Sequence, residues 1–309
     1  MADSSLAIGV DLGGTKIEVL ALDEGGRELL RRRRPTPRGS YERTLEAIAA
    51  LVHEAERELG RHATVGVGHP GALSPASGRL RNANATWLNG RALDRDLEVV
   101  LERPVAAAND ADCLALSEAT DGAAAGKPVV FAVILGTGVG GGIVAHGRLL
   151  QGPNAITGEW GHNPLPWPAA GELPGPACYC GKEGCIETWL SGPGLAAEHR
   201  RRTGVEREAH LLADAALAGD PAATTTLELY EDRLARGLAT VMNVLDPHAV
   251  VLGGGISNIA RLYERVPVRI ARWLFSDTMR TPLLQARHGD SSGVRGAAWL
   301  GRAAARERG

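Results

Sequence analysis

The sequence predicts an α/β protein of two similarly ordered halves, and three observations carry that prediction. Residues 6–68 read strand, strand, strand, helix, strand, the order of a ribonuclease-H-like unit. A strand, glycine-threonine turn, strand arrangement then occurs twice, around Gly13–Lys16 and around Gly136–Gly142. The 309 residues, 44% of them hydrophobic, suffice for two ordinary domains with a core each. The expected division is 1–112 with 294–309 as a small N-terminal α/β domain, and 113–293 as a larger C-terminal α/β domain.

Leu6–Val10 reads as a buried strand and Ile17–Leu22 as a second, so Asp11-Leu-Gly13-Gly14-Thr15-Lys16 is a hairpin rather than the strand-to-helix turn of a dinucleotide or Walker loop. Glycines in such a turn let backbone N–H groups face phosphate oxygens, with the Thr15 hydroxyl and Lys16 ammonium beside them; a plain glycine hairpin is the even alternative. Asp23–Gly26 turns the chain into a third strand ending in Arg31–Arg34, read as a solvated strand edge in preference to a nucleic-acid contact. Ser40 caps a helix with the apolar stripe Leu45, Ile48, Val52, Ala55 and Leu59, and Gly60 stops it. Thr64–Gly68 is the next strand.

From Pro70 to Gly90 little regular structure is expected, and a loop of that length inside a compact domain points to function. Asn82, Asn84 and Asn89 offer amides to hydroxyl groups there, although asparagine suits turns equally well. A helix over Leu93–Leu101 leads through Pro104 to the strand Val105–Ala108, with Asn109-Asp110 at its end and a helical pattern through Cys113 and Leu116. Loops at the carboxyl ends of strands are where α/β folds place chemistry.

Val129–Leu135 is a strongly β-branched strand, followed by Gly136-Thr137-Gly138-Val139-Gly140-Gly141-Gly142 and a strand through Val144. Two glycine hairpins of this kind, one per half, could hold opposite sides of one polyphosphate. His146 reads as a turn residue. Helical spacing covers 194–202, 208–217 and 221–245, where Asp246-Pro247 ends the longest helix. Ala249–Leu252 is a strand opening into Gly253-Gly254-Gly255, whose bare backbone either lies against a nucleotide base or lets a helix pack close. Leu283–Arg287 and Gly293–Arg302 are the last strand and helix.

Cys178, Cys180 and Cys185 fall within eight positions, and His162 lies sixteen residues before the first of them. This is a Cys3His set of the kind tetrahedral zinc takes, and with four protein ligands the metal has no place for a catalytic water. It would be a structural clamp, with Gly181 and Gly184 letting the loop fold back on the ion. Ordinary thiols or a disulfide are the alternative; without an apolar signal segment ahead of the chain, a reducing cytoplasmic setting is expected. Glu159 and Glu187 flank the ligands, so the loop looks like a ligand pocket. Cys113, within a helical apolar pattern, is expected in the core.

A formal net charge of -2 provides no general attraction to nucleic acid or an anionic membrane. No apolar run approaches the roughly 20 residues of a spanning helix. A soluble cytoplasmic protein with neither nucleic-acid nor membrane partners is therefore expected.

Asp11-Leu-Gly-Gly-Thr-Lys16, Asn109-Asp110, Gly136-Thr-Gly138, Gly158-Glu-Trp-Gly-His162 and Cys178-x-Cys-Gly-x-x-Gly-Cys-x-Glu187 together resemble, over essentially the whole chain, the sugar kinases of the ROK family (repressors, open reading frames, kinases). Within it, 82–90, 159–167 and 288–299 look most like bacterial fructokinases that also accept mannose. The resemblance implies an actin-like ATPase fold, with two ribonuclease-H-like domains around a central cleft that close on ATP and a hexose, and a homodimer. It implies Asp110 as catalytic base; Glu159, His162 and Glu187, with Asn84 and Asn109, on the sugar; and His162 serving zinc as well. Asp11 resembles the family's magnesium-side aspartate, and the nucleotide is expected along Gly9, Asp11, Gly13, Gly14, Thr15, Lys16, Gly136, Thr137, Gly138, Gly140, Gly254 and Gly255.

These roles agree with elementary chemistry: a hexose hydroxyl is too weak an acid to attack phosphorus unaided, and Mg2+ neutralises charge that develops on the phosphates. Fructose, phosphorylated on a primary hydroxyl, is the expected substrate, with mannose second; N-acetylglucosamine or N-acetylmannosamine is the alternative, then glucose. A repressor of the same family carries a winged helix-turn-helix ahead of its sugar-binding body, whereas five residues precede the first strand here. A non-catalytic sensor would have no need of Asp110. Both stand behind the kinase reading.

Overall fold

In the computed structural model, which describes residues 6–308, β1 (Ala7–Leu12), β2 (Lys16–Leu22) and β3 (Glu28–Pro35) form an antiparallel meander. α1 (Tyr41–Leu59) starts on Ser40, whose hydroxyl accepts from the Arg43 N–H, and ends on Gly60 in the left-handed conformation, as the sequence predicts. β4 (Thr64–His69) then pairs parallel with β1. The expected long loop contains a small ladder of β5 (Ala72–Leu73) and β6 (Leu80–Arg81) and a 3-10 turn, Thr86–Leu88. Asn89 organises it by using both ends of its amide on the Ala83 backbone, at 2.9 and 3.0 Å. α2 (Leu93–Leu101), β7 (Val105–Asn109) and α3 (Asp110–Thr120) follow, and the sheet order is β3-β2-β1-β4-β7.

The second sheet uses β8 (Val129–Leu135), β9 (Val139–Ala145) and β10 (Arg148–Leu149). His146, with φ +51°, occupies the turn before β10. α4 (Ile186–Leu190), α5 (Gly192–Thr203), α6 (Ala209–Leu217) and α7 (Pro221–Leu245) come next. Asp220 caps α7 through the Ala222 and Ala223 N–H groups, and Asp246 closes it in the left-handed conformation. β11 (Ala249–Gly253), α8 (Arg261–Ile270), β12 (Leu283–Gln285) and α9 (Ser292–Arg308) complete the chain, and the second sheet runs β10-β9-β8-β11-β12.

Contacts divide the chain into two units. The first takes the chain through Gly126 with Gly142–Thr157 and the segment from Asp290; the second takes Lys127–Gly141 and Gly158–Gly289. The sequence reading placed the change at 112/113 instead. α3 stays with the first unit because α9 packs on it at backbone distance: a Cβ on Gly296 would overlap the Cys113 carbonyl. Gly66 meets α9 in the same way, and so does Gly9, where a Cβ would overlap the Val294 carbonyl. Gly9, expected on the nucleotide, is thus a packing glycine whose missing side chain lets α9 lie on β1. Cys113 is fully buried in this layer with Ala108 and Ala297, as expected.

The arginine run is more than a solvated edge. Arg32 and Arg34 pair with Glu58 and Glu54 of α1, whereas Arg31 and Arg33 turn to the other face and meet the buried Glu18. Among the described residues no helix is long and apolar enough to cross a membrane.

Candidate functional site

In the first unit, the chemistry gathers at the carboxyl ends of β1 and β7. The hairpin between β1 and β2 closes with the Gly13 N–H donating to Lys16 O at 2.9 Å. Thr36, just past β3, braces it by donating its hydroxyl to Gly13 O and its N–H to Thr15 O. Asn109 caps α3, accepting from the Ala111 N–H at 2.8 Å, and its amide nitrogen donates to Gly71 O at 2.7 Å. Asp110 is the exposed first residue of that helix, and its carboxylate accepts from the same Ala111 N–H at 2.8 Å. A carboxylate there is favoured by the helix's partial positive N-terminus.

Asp11 is the electrostatic neighbour of Asp110. Burial, then the negative charge of Asp110, pushes Asp11 up to about 6, against the pull of Lys16 and Arg33. Two carboxylates that oppose each other's ionisation make a locale that a divalent cation would relieve, so the donors present suit Mg2+. Of the three loop asparagines, Asn89 is spent on the loop itself and Asn82 takes a left-handed turn conformation. Asn84 is exposed beside Gly14, with its side-chain oxygen 4.0 Å from where a Gly14 Cβ would sit.

In the second unit, the glycine-threonine hairpin is tied at its base. Gly136 N–H donates to Gly138 O and Gly192 N–H to Gly136 O, which fixes the tip, with Thr137, to the start of α5. Glu187, in the first turn of α4, accepts from the Val139 N–H at 2.8 Å. A Cβ at Gly138 would stand 2.7 Å from that carboxylate, so a side chain there would displace Glu187 from its bond to Val139. The Trp160 indole donates to Gly140 O at 3.0 Å, seating the 3-10 turn Trp160–His162 with Glu159 exposed at its start. Gly254 has φ +83° and its Cβ would overlap the β8 backbone at Leu135, whereas Gly255 faces open space. Gly255 is therefore the better placed of the pair to approach a ligand.

The Cys3His set comes together. The ligand atoms of His162, Cys178, Cys180 and Cys185 all lie within 4.8 Å of one another. Cys178 Sγ to His162 Nδ1 and Cys180 Sγ to Cys185 Sγ are each 3.6 Å. Sulfurs about 2.3 Å from a tetrahedral zinc stand about 3.8 Å apart, so the set has the size of a zinc site. Gly181 and Gly184, at φ +86° and +68°, let the loop double back as expected. Burial and the two neighbouring thiols push Cys185 up to about 12. A cation is what would allow three such sulfurs to ionise together.

Tyr179, between two of the cysteines, was not singled out in the sequence. Its hydroxyl is 2.9 Å from His162 Nε2 with the rings edge to face, so the histidine's second nitrogen is engaged by the phenol. Burial, then Glu187 and Glu159, pushes the phenol up to about 12, which places it in the field of both candidate sugar-binding carboxylates.

The spacer between His162 and the cysteines is clamped from beneath. Glu172 is buried against Arg233 (2.7 Å) and Arg236 (2.8 Å), and Arg236 also donates to the Trp167 and Pro166 carbonyls. Although burial opposes it, bonding to Arg236 and Arg233 holds Glu172 down at about 2. Glu172→Gln removes the buried anion that the two guanidinium groups share, leaving Arg233 to Glu198 and Arg236 to Asp232, each at 3.0 Å, and is expected to cost about 3 kcal/mol. Because the folded-state carboxyl lies below its ordinary 4.5, its contribution is complete above that pH and is lost as pH falls towards 2. Urea unfolding from neutral to acid pH checks this: the parent should carry an acid-labile component that the variant lacks, and equal stability at pH 7 would contradict it.

A family model described as ROK family matches residues 7–304. The N-acetyl-D-glucosamine kinase of Vibrio parahaemolyticus is 40% identical over 296 residues, covering 94% of this chain and 98% of its own. The crystal structure of a ROK hexokinase from Thermus thermophilus superposes with a TM-score of 0.87 at 35% identity, covering 98% of this chain and 100% of the other. A ROK family glucokinase from Streptomyces griseus, solved in complex with glucose and AMPPNP, gives 0.78 at 30% identity, covering 96% and 99%.

Proposed function

The chain belongs to the ROK family and is an ATP-dependent sugar kinase, and from that premise we propose that it phosphorylates N-acetyl-D-glucosamine, with Asp110 as general base. The observation that carries the catalytic part is the exposed Asp110 carboxylate at the start of α3, anchored by a backbone amide and neighbour to the half-buried Asp11. On the first unit Asp110 takes the proton of the attacking hydroxyl as that hydroxyl's oxygen bonds the γ-phosphorus of ATP and the bond from this phosphorus to the bridging oxygen breaks to release ADP; Asn109 holds the helix end that presents Asp110. Asp11 would hold Mg2+, which would supply charge neutralisation on the phosphates. On the first unit the Gly13–Lys16 hairpin is the phosphate-binding candidate; on the second unit the Gly136–Gly138 hairpin and Gly255 are the candidates. On the second unit Glu159 and Glu187 accept hydrogen bonds from sugar hydroxyls, and zinc on His162, Cys178, Cys180 and Cys185 fixes the loop between them.

The choice of sugar departs from the sequence expectation. Relatives named N-acetyl-D-glucosamine kinases, at 39–40% identity over 94% of the chain, support the alternative sugar ahead of fructose. Fructose remains the second reading, favoured by the stretches 82–90, 159–167 and 288–299. Initial rates with each sugar separately and in competition, at equal concentration with MgATP, discriminate the two. The expected result is a kcat/KM for N-acetyl-D-glucosamine at least about tenfold above that for fructose, equivalent to about 1.4 kcal/mol. The reverse ratio would establish the fructokinase reading instead.

A further inference from the structure

Glu18 is the unusual residue of the first sheet: a fully buried carboxylate in the middle of an apolar strand, ringed by three cations. Arg33 meets it with Nε at 2.7 Å and a terminal nitrogen at 3.0 Å, Arg31 at 3.0 Å and Lys16 at 3.5 Å. Arg31 is also paired with Glu28 at 2.7 Å and donates to the Ser291 hydroxyl at 2.7 Å. Lys16 and Arg33 are both close to half exposed, so their charged ends are tethered from below and reachable from above.

Sheet register explains where that pair stands. Asp11 is directly opposite Glu18 on β1 and β2, and Glu18 directly opposite Arg33 on β2 and β3, so Asp11, Glu18 and Arg33 form one row across three strands. Lys16 lies two residues before Glu18, on the same face, at the end of the glycine hairpin. Both Lys16 and Arg33 act electrostatically on Asp11, and Thr36, three residues after Arg33, braces the hairpin backbone. A purely structural role is poorly matched to this arrangement. Arg32 and Arg34 already tie β3 to α1, and burying a carboxylate beneath half-exposed cations carries a desolvation cost that such a tie does not require.

We propose that Arg33 is a second phosphate-contacting cation beside Lys16, and that Glu18 is the positioning residue that holds the two side chains ready at the hairpin. The inference rests on the sugar-kinase reading, in which the hairpin takes the nucleotide's phosphates. Two long side chains held by one buried anion lose less rotamer freedom when a polyphosphate arrives, and the planar guanidinium offers it paired N–H donors.

Calorimetric titration of the intact chain with ATP, ADP and adenosine, with no sugar present, tests the proposal. Arg33→Met is expected to weaken ATP about tenfold and to leave adenosine within about twofold, and Arg33→Lys to recover most of the loss. Glu18→Gln is expected to weaken ATP as well, and to add little when combined with Arg33→Met, because the two act as a unit. Should Glu18→Gln fail to fold, the two Arg33 variants decide alone. ATP binding by Arg33→Met within twofold of the parent, or equal losses for ATP and adenosine, overturns the inference. A parent chain that transfers phosphate from ATP to no hexose overturns the reading beneath it.

Discussion

Asp110→Asn is expected to lower kcat by roughly 10^2 to 10^4 while changing stability by no more than about 1 kcal/mol. Asparagine keeps the oxygen that accepts from the Ala111 N–H, and Asn109 caps the same amide independently, so the start of α3 survives the substitution. Only the capacity to take a proton is removed. Asn109→Ala makes the contrast, because it deletes the second cap and the bond to Gly71 O while leaving the carboxylate in place. It should cost about 1 kcal/mol of stability and reduce turnover far less. Steady-state kinetics with thermal unfolding of both variants separates the roles, and an Asp110→Asn turnover within a few-fold of the parent would contradict the assignment of the base.

The second large effect is expected at Cys185. Elemental analysis should find one zinc per chain, and Cys185→Ser should lower stability by at least about 3 kcal/mol and raise the KM for the sugar about tenfold or more. The coupling is local. Cys185 is buried immediately ahead of α4, its backbone bridges Pro164, and Glu187 stands two residues later in the first turn of that helix. Loosening Cys185 therefore loosens the carboxylate that grips the Val139 N–H. A chelator should reproduce both losses in the parent chain. A zinc-free preparation, with Cys185→Ser indistinguishable from the parent, would remove the clamp from the account.

Local signals made most elements legible. Ser40 and Gly60 bracket α1, Asp220-Pro221 and Asp246 bracket α7, and the Cys-x-Cys-Gly-x-x-Gly-Cys run brings its sulfurs together as its glycines suggest. Long-range signals were lost. The sequence of Gly9 reads like any glycine beside a phosphate hairpin, and only the arrival of α9 nearly 300 residues later reveals it as a packing position. α8 escaped because Pro267 interrupts its pattern, and only Leu262, Val266 and Ile270 mark its buried face. The arginine run lies on the exposed edge strand that its sequence suggests, but its partners were not legible because pairing depends on strand register: alternate arginines face α1 and Glu18. Within the candidate site, the helix-end pair Asn109-Asp110, Glu187 and the clustered Cys3His set could be picked out from motifs. Tyr179 could not, since its contact with His162 exists only in the folded loop.

The most direct test of the central claim is a phosphorus NMR record of one reaction containing the intact chain, ATP, Mg2+ and N-acetyl-D-glucosamine, with parallel samples of fructose, mannose and glucose. The account predicts one ADP for each sugar phosphate ester formed, at a rate that collapses in Asp110→Asn. ADP formation that no hexose stimulates, with no phosphate ester in any sample, would contradict it.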